Sequence, residues 1–84
     1  MKRNTTQFRR LMALHEAIRS GKYPNCLSFA TDYEVSQKTI QRDIDFLRDT
    51  LNAPIEFDRQ RNGFYYTDAT FFLPSIVLSE GELT

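Results

Sequence analysis

Few groups in these 84 residues could do covalent or metal chemistry. His15 is the sole histidine and Cys26 the sole cysteine, so neither a disulfide within the chain nor a metal-ligand cluster can be assembled. Gly21, Gly63 and Gly81 are scattered and form no phosphate-cradling loop, and no nucleophile stands near a base in sequence. No enzyme activity, cofactor or metal is therefore expected. What does stand out is a run of hydrogen-bond donors: Ser36, Lys38, Thr39, Gln41 and Arg42, and further on Arg59-Gln60-Arg61-Asn62. An arginine can bond guanine O6 and N7 together and a glutamine adenine N6 and N7, while a basic loop suits a phosphate backbone or a minor groove. The same residues would also serve as a solvated face, with Lys38 and Arg42 paired to Asp45 and Asp49.

The elements that must carry these donors can be read from hydrophobic spacing. Phe8, Leu11, Met12, Leu14, His15 and Ile18 form one stripe, predicting a helix over 5–20 capped by Thr5 or Thr6 and stopped by Gly21. His15 lies on this stripe as a core histidine. Pro24 breaks the chain, and Asn25 caps a short helix from Cys26 to Tyr33 whose buried contacts are expected to be Leu27, Phe29, Ala30 and Tyr33. Cys26 is read as a small buried hydrophobe rather than an activated thiol. Ser36 caps a third helix over 37–51, with Ile40, Ile44, Leu47 and Leu51 as its core stripe.

At 100° per residue, Ile44, Leu47 and Leu51 fall within about 50° of Ile40, and Lys38, Arg42, Asp45 and Asp49 within about 40° of the opposite side. The outward face is thus basic in its first half and acidic in its second, the polarity suited to entering a major groove by the amino-terminal end. Two extended runs, 55–58 and 64–67, flank an Asn62-Gly63 hairpin signal, with Phe64, Tyr65 and Tyr66 packing partly inward. Two helices, a capped third helix and a hairpin give a mainly α fold with a small β-hairpin (α+β), the order of a three-helix winged helix-turn-helix. Residues 1–67 form that domain. Residues 68–84, with Pro74, are expected to be an extended linker, although Phe71, Phe72, Ile76, Val77 and Leu78 are apolar enough to pack on the domain or on a second copy.

Composition is ordinary for a folded domain, at 40% hydrophobic and 26% charged, and the best apolar stretch is far short of the roughly 20 residues of a membrane span. The first twenty residues lack the apolar core of a signal peptide, so a cytoplasmic location is expected. Eleven basic residues balance eleven acidic ones, but unevenly. Residues 1–22 hold six Lys and Arg, Arg3 among them, against Glu16, while residues 43–84 hold three against eight acids. A basic leading part fits a polyanion, and Arg3 is counted with the DNA-facing set.

The run Val35-Ser36-Gln37-Lys38-Thr39-Ile40-Gln41-Arg42-Asp43-Ile44-Asp45-Phe46-Leu47-Arg48 resembles the VSxxTIxRDIxxL signature of DeoR-like winged helix-turn-helix regulators. Pro54-Ile55 followed by Gly63-Phe64 is similar to the wing of that family. Phe72-Leu73-Pro74 and Leu78-Ser79-Glu80-Gly81-Glu82-Leu83 resemble the linker into the effector half of bacterial WYL-domain transcription regulators. The resemblance implies a repressor or activator domain that binds double-stranded DNA at a palindromic operator as a homodimer. Any effector ligand would be bound by a domain absent from this chain. It implies that Ser36, Lys38, Thr39, Gln41 and Arg42 meet DNA, that Arg59, Arg61 and Asn62 of the wing (55–67) touch the backbone or minor groove, and that Asp43 holds the fold. Glu34 departs from the family, which often has glycine or another small residue there. The alternative is a winged-helix module that binds a protein instead of DNA.

Overall fold

A computed structural model describes residues 2–73, with side chains from Thr6 onward; the Arg3 side chain and residues 74–84 of the expected linker lie outside the described residues. Helix α1 (Lys2–Arg19) starts earlier than the threonine caps predict, since nothing between Lys2 and Thr5 breaks a helix. It ends as expected at Gly21, whose φ of +79° closes the helix while Lys22 N–H returns to the Ala17 carbonyl. Helix α2 (Cys26–Tyr33) is capped by Asn25, whose side-chain oxygen accepts from Ser28 N–H, and α3 (Gln37–Asp45) by Ser36, which accepts from Thr39 N–H.

The third helix does not run regularly to Leu51. From Phe46 to Thr50 it widens into a π-helical turn, with Leu51 N–H bonded five residues back to the Phe46 carbonyl. The wider turn keeps Leu47 fully buried, and left-handed Asn52 (φ +59°) then reverses the chain so that Ala53 N–H meets the Leu47 carbonyl. Strands β1 (Ile55–Asp58) and β2 (Gly63–Tyr66) pair antiparallel, Ile55 opposite Tyr66 and Phe57 opposite Phe64. Three helices and a two-stranded hairpin make a mainly helical α+β winged helix-turn-helix. No helix among the described residues is long and apolar enough to cross a membrane.

Leu11, Leu14 and Ile18 of α1, Ile40 and Ile44 of α3, Leu47, Ile55 and Phe64 form one core. Leu73 is buried in it and Phe71 packs edge-on against Tyr66 and His15, so the chain stays on the domain beyond Thr67. The second helix departs from expectation. Ala30 is buried and Phe29 partly so, but Leu27 in the first turn of α2 is 61% exposed and Tyr33 at its end 39%.

Two polar contacts sit inside this core. Arg10 Nε and Nη2 donate to the Asp43 carboxylate at 2.7 and 3.3 Å, with Asp43 2% exposed and Arg10 9%. Asp43 thus holds α3 to α1, and Arg10 is withdrawn from the basic surface that the sequence suggested. His15 Nδ1 lies 2.8 Å from the Tyr66 hydroxyl, and burial holds its imidazole below the ordinary value of 6.5.

Removing one member of the ion pair strands the other charge. Asp43→Ala should lower the unfolding free energy by about 3 kcal/mol in urea titrations, and Arg10→Met with Asp43→Leu together should recover much of it. For His15 the fold favours the neutral ring. Its contribution is complete above about pH 6.5 and is lost as pH falls through that value, where the unfolded chain takes up a proton that the folded chain resists. The urea midpoint should therefore drop between about pH 7 and about pH 5.5, and His15→Gln should flatten that drop.

Candidate nucleic-acid interface

The Arg10–Asp43 pair and the fully buried Ile40 and Ile44 fix the rotation of α3 about its axis. With those three facing inward, Lys38, Gln41 and Arg42 are exposed. Lys38 and Arg42 form no ion pair or hydrogen bond among the described residues. The acids that could have neutralised them are engaged elsewhere on the same face. Asp45 takes Arg48 Nη2 at 2.7 Å and Gln41 Nε2 at 3.0 Å, and Arg48 Nε also reaches Asp49 at 3.4 Å. Two uncompensated cations therefore stand on the outward face of α3, Lys38 in its first turn and Arg42 in its last.

The other predicted residues are less available. Ser36 Oγ accepts the Thr39 N–H and shares a hydrogen bond with Thr39 Oγ1, so both hydroxyls serve the cap. The Gln41 amide is held at both ends, its nitrogen by Asp45 and its oxygen by the Cys26 thiol. Burial, with Asp45 nearby, raises the Cys26 pKa, so the thiol stays neutral. Glu34, exposed beside this end of the helix, has a left-handed φ of +56°. Glycine adopts that conformation at lower cost than a residue with a side chain.

The hairpin forms where the Asn-Gly signal places it, with a connection one residue shorter than the 59–63 segment between the two expected runs. Asp58 pairs with Gly63, so the loop is Arg59–Asn62, with only Asn62 left-handed (φ +56°). Gly63 is required for space, since a Cβ there would lie 1.9 Å from the Tyr23 carbonyl oxygen. Around this close approach the hairpin is tied to the α1–α2 connector. Phe64 N–H donates to the Pro24 carbonyl at 2.8 Å, and Asn25 Nδ2 donates to the Asn62 carbonyl at 3.0 Å. Arg61 bonds Asp58 at 2.8 Å and lies 5.0 Å over the Tyr23 ring. The Arg61 backbone N–H and its guanidinium hold the Asp58 carboxyl below the usual carboxylate range. Arg59, in contrast, is exposed and unpaired among the described residues.

The basic amino-terminal surface is also thinner than the sequence implies. Among the described side chains, Arg10 is buried and Arg19 is paired with Glu16, leaving Arg9 and Lys22 exposed on α1 and its end. Spacing could not reveal that Leu27, Gln37 and Phe57 gather beside α3, because three elements contribute them. Among the described residues no His, Cys, Asp and Glu side chains group to hold a metal ion.

Comparison with known protein families, characterised proteins and solved structures finds no match. The arrangement itself is an outward helix face with two free cations, beside a clamped hairpin bearing a third.

Gly63→Ala tests the clamp. The new methyl must push the hairpin off the connector, which should lower the thermal midpoint by several degrees, whereas Gly21→Ala meets no atom and should be limited to its backbone strain.

Proposed function

We propose that the chain is a sequence-specific double-stranded DNA-binding domain of a bacterial transcriptional regulator of the WYL-domain kind. On this reading α3 enters the major groove by its amino-terminal end, and the hairpin lies on the backbone or in the adjoining minor groove. The observation that carries it is the exposed, uncompensated pair Lys38 and Arg42, left free because Asp45 and Asp49 are taken by Arg48. Arg42 is the base reader, able to bond a guanine edge in two places. Lys38 and Arg59 contact phosphates, and Arg61, held against Asp58 and Tyr23, shapes the wing. Binding as a homodimer to a palindromic operator completes the proposal, with any effector sensed outside this chain.

A second reading, a module that binds a protein partner, has two observations in its favour: the zero net charge and the exposed Leu27 and Phe57.

A selection from random duplexes followed by salt titration separates the two. DNA binding should yield an enriched motif and an affinity that falls steeply with salt. Arg42→Ala should cost about 1–3 kcal/mol on that motif and relax preference at one position, whereas Arg59→Ala should weaken all duplexes alike and flatten the salt slope by about one. A salt-insensitive chain with no enriched motif would sink the DNA reading.

A further inference from the structure

Between the first turn of α2, the start of α3 and the hairpin lies an open groove of about 550 Å³. Leu27, Phe57 and Phe64 supply its apolar surface, and no charged residue lines it. Leu27 is 61% exposed and Phe57 45%, although Phe57 shares a sheet face with buried Ile55. Carboxamides stand among these side chains. Those of Asn25 and Gln41 are engaged, but those of Gln37 on α3 and Asn62 on the hairpin have no hydrogen-bond partner among the described residues. Each offers an N–H donor and a carbonyl acceptor, the pair that an extended peptide backbone also presents. Such a lining suits an uncharged, apolar stretch of extended chain.

The sequence holds a stretch of that kind. Residues 69–79 are its longest run without a charged side chain, and the part Pro74-Ser75-Ile76-Val77-Leu78-Ser79 lies outside the described residues. Ile76 and Val77 are β-branched, a composition that favours extended backbone. Two acids, Glu80 and Glu82, come directly after. The margin of the groove carries the opposite sign. Lys38 adjoins Gln37, Arg42 adjoins Gln41 and Arg59 stands two residues past Phe57, all three unpaired among the described residues. An apolar floor beside free cations thus matches an apolar run followed by carboxylates. The reach is short as well. Leu73 is buried in the same core as Phe64, and the domain measures 39 × 30 × 20 Å. The five steps from Leu73 to Leu78 cover up to about 17 Å. A segment tethered so closely meets the groove at high effective concentration.

We propose that residues 76–78 of the same chain dock in this groove and set Glu80 and Glu82 against the free cations Lys38, Arg42 and Arg59. The segment is then an intramolecular cover over the basic face of α3. This inference goes beyond the proposed function and stands without it; where that function holds, the docked segment competes with DNA for the same cations.

Cys26 lines the groove and is the sole cysteine, so its reactivity reports on the occupant. Labelling of the full chain by N-ethylmaleimide at fixed pH is compared with that of a variant carrying Ile76→Ser, Val77→Ser and Leu78→Ser, circular dichroism confirming that both are folded. The variant should react about ten-fold faster, as expected when the burial of three apolar side chains is lost. The rate of the unaltered chain should not depend on protein concentration. Equal rates would overturn the proposal, as would protection that grows with concentration, the mark of a second copy's segment in the groove. Should the variant unfold, nuclear Overhauser contacts between the Phe57 ring and the Val77 or Leu78 methyl groups of the unaltered chain decide: their presence supports the docking and their absence overturns it. Neither readout involves DNA. If the labelling rates are equal while the chain still binds its selected duplex, the docking alone fails; if the groove is protected but no duplex is bound, the DNA-binding reading alone fails.

Discussion

The buried contact between Arg10 and Asp43 is the constraint on which the rest of the molecule turns. Asp43 follows Arg42 directly, and successive helical residues are separated by 100°. Once Asp43 is drawn to α1 and Ile40 and Ile44 are in the core, the remaining side of α3 has to face solvent. A buried ion pair is a weak source of net stability, because desolvating two charges offsets most of their attraction. Its use here is geometric: an apolar pair would tolerate rotation of the helix, whereas a two-point hydrogen-bonded contact does not.

A second constraint governs the hairpin. Two strands of four residues are too small to hold together in water by themselves. The connector after α1 compensates, lying against the side of β2 that carries Tyr65 and supplying a carbonyl to Phe64 N–H. The contact is close enough to exclude any side chain at Gly63 and coincides with a left-handed Tyr23 (φ +53°), an uncommon conformation for an aromatic residue. Asn25 links α2 to the hairpin, capping the helix with its oxygen and holding the hairpin turn with its nitrogen. The separation between α2 and the hairpin is thereby held by the Asn25 side chain together with the Phe64–Pro24 backbone hydrogen bond.

Much of this was legible in the sequence wherever the cause is local. Asn25 and Ser36 cap because their side chains reach backbone N–H groups three residues on, and Gly21 ends a helix because it accepts positive φ. The inward placement of Asp43 followed from the helical period alone. The misplacements came from long-range causes. Leu27 reads as core because it is apolar and near Ala30, yet burial needs a neighbour that only the tertiary fold could supply. Arg10 reads as surface charge, but its partner is 33 positions away. Asn62-Gly63 reads as a hairpin signal, but that Gly63 also answers to an atom in another segment could not be read from it. The π-helical turn keeps the same apolar spacing as a regular helix, so periodicity could not reveal it.

That widened turn also limits the reach of α3. The regular part of the helix has nine residues, a rod of roughly 13 Å. Stacked bases advance about 3.4 Å each, so such a rod faces about four consecutive steps of a duplex. A four-letter word recurs by chance about every 250 positions, far too often to single out one address in a chromosome. Under the proposed function, α3 alone therefore carries too little information to be selective, and contacts beyond this helix must supply the rest.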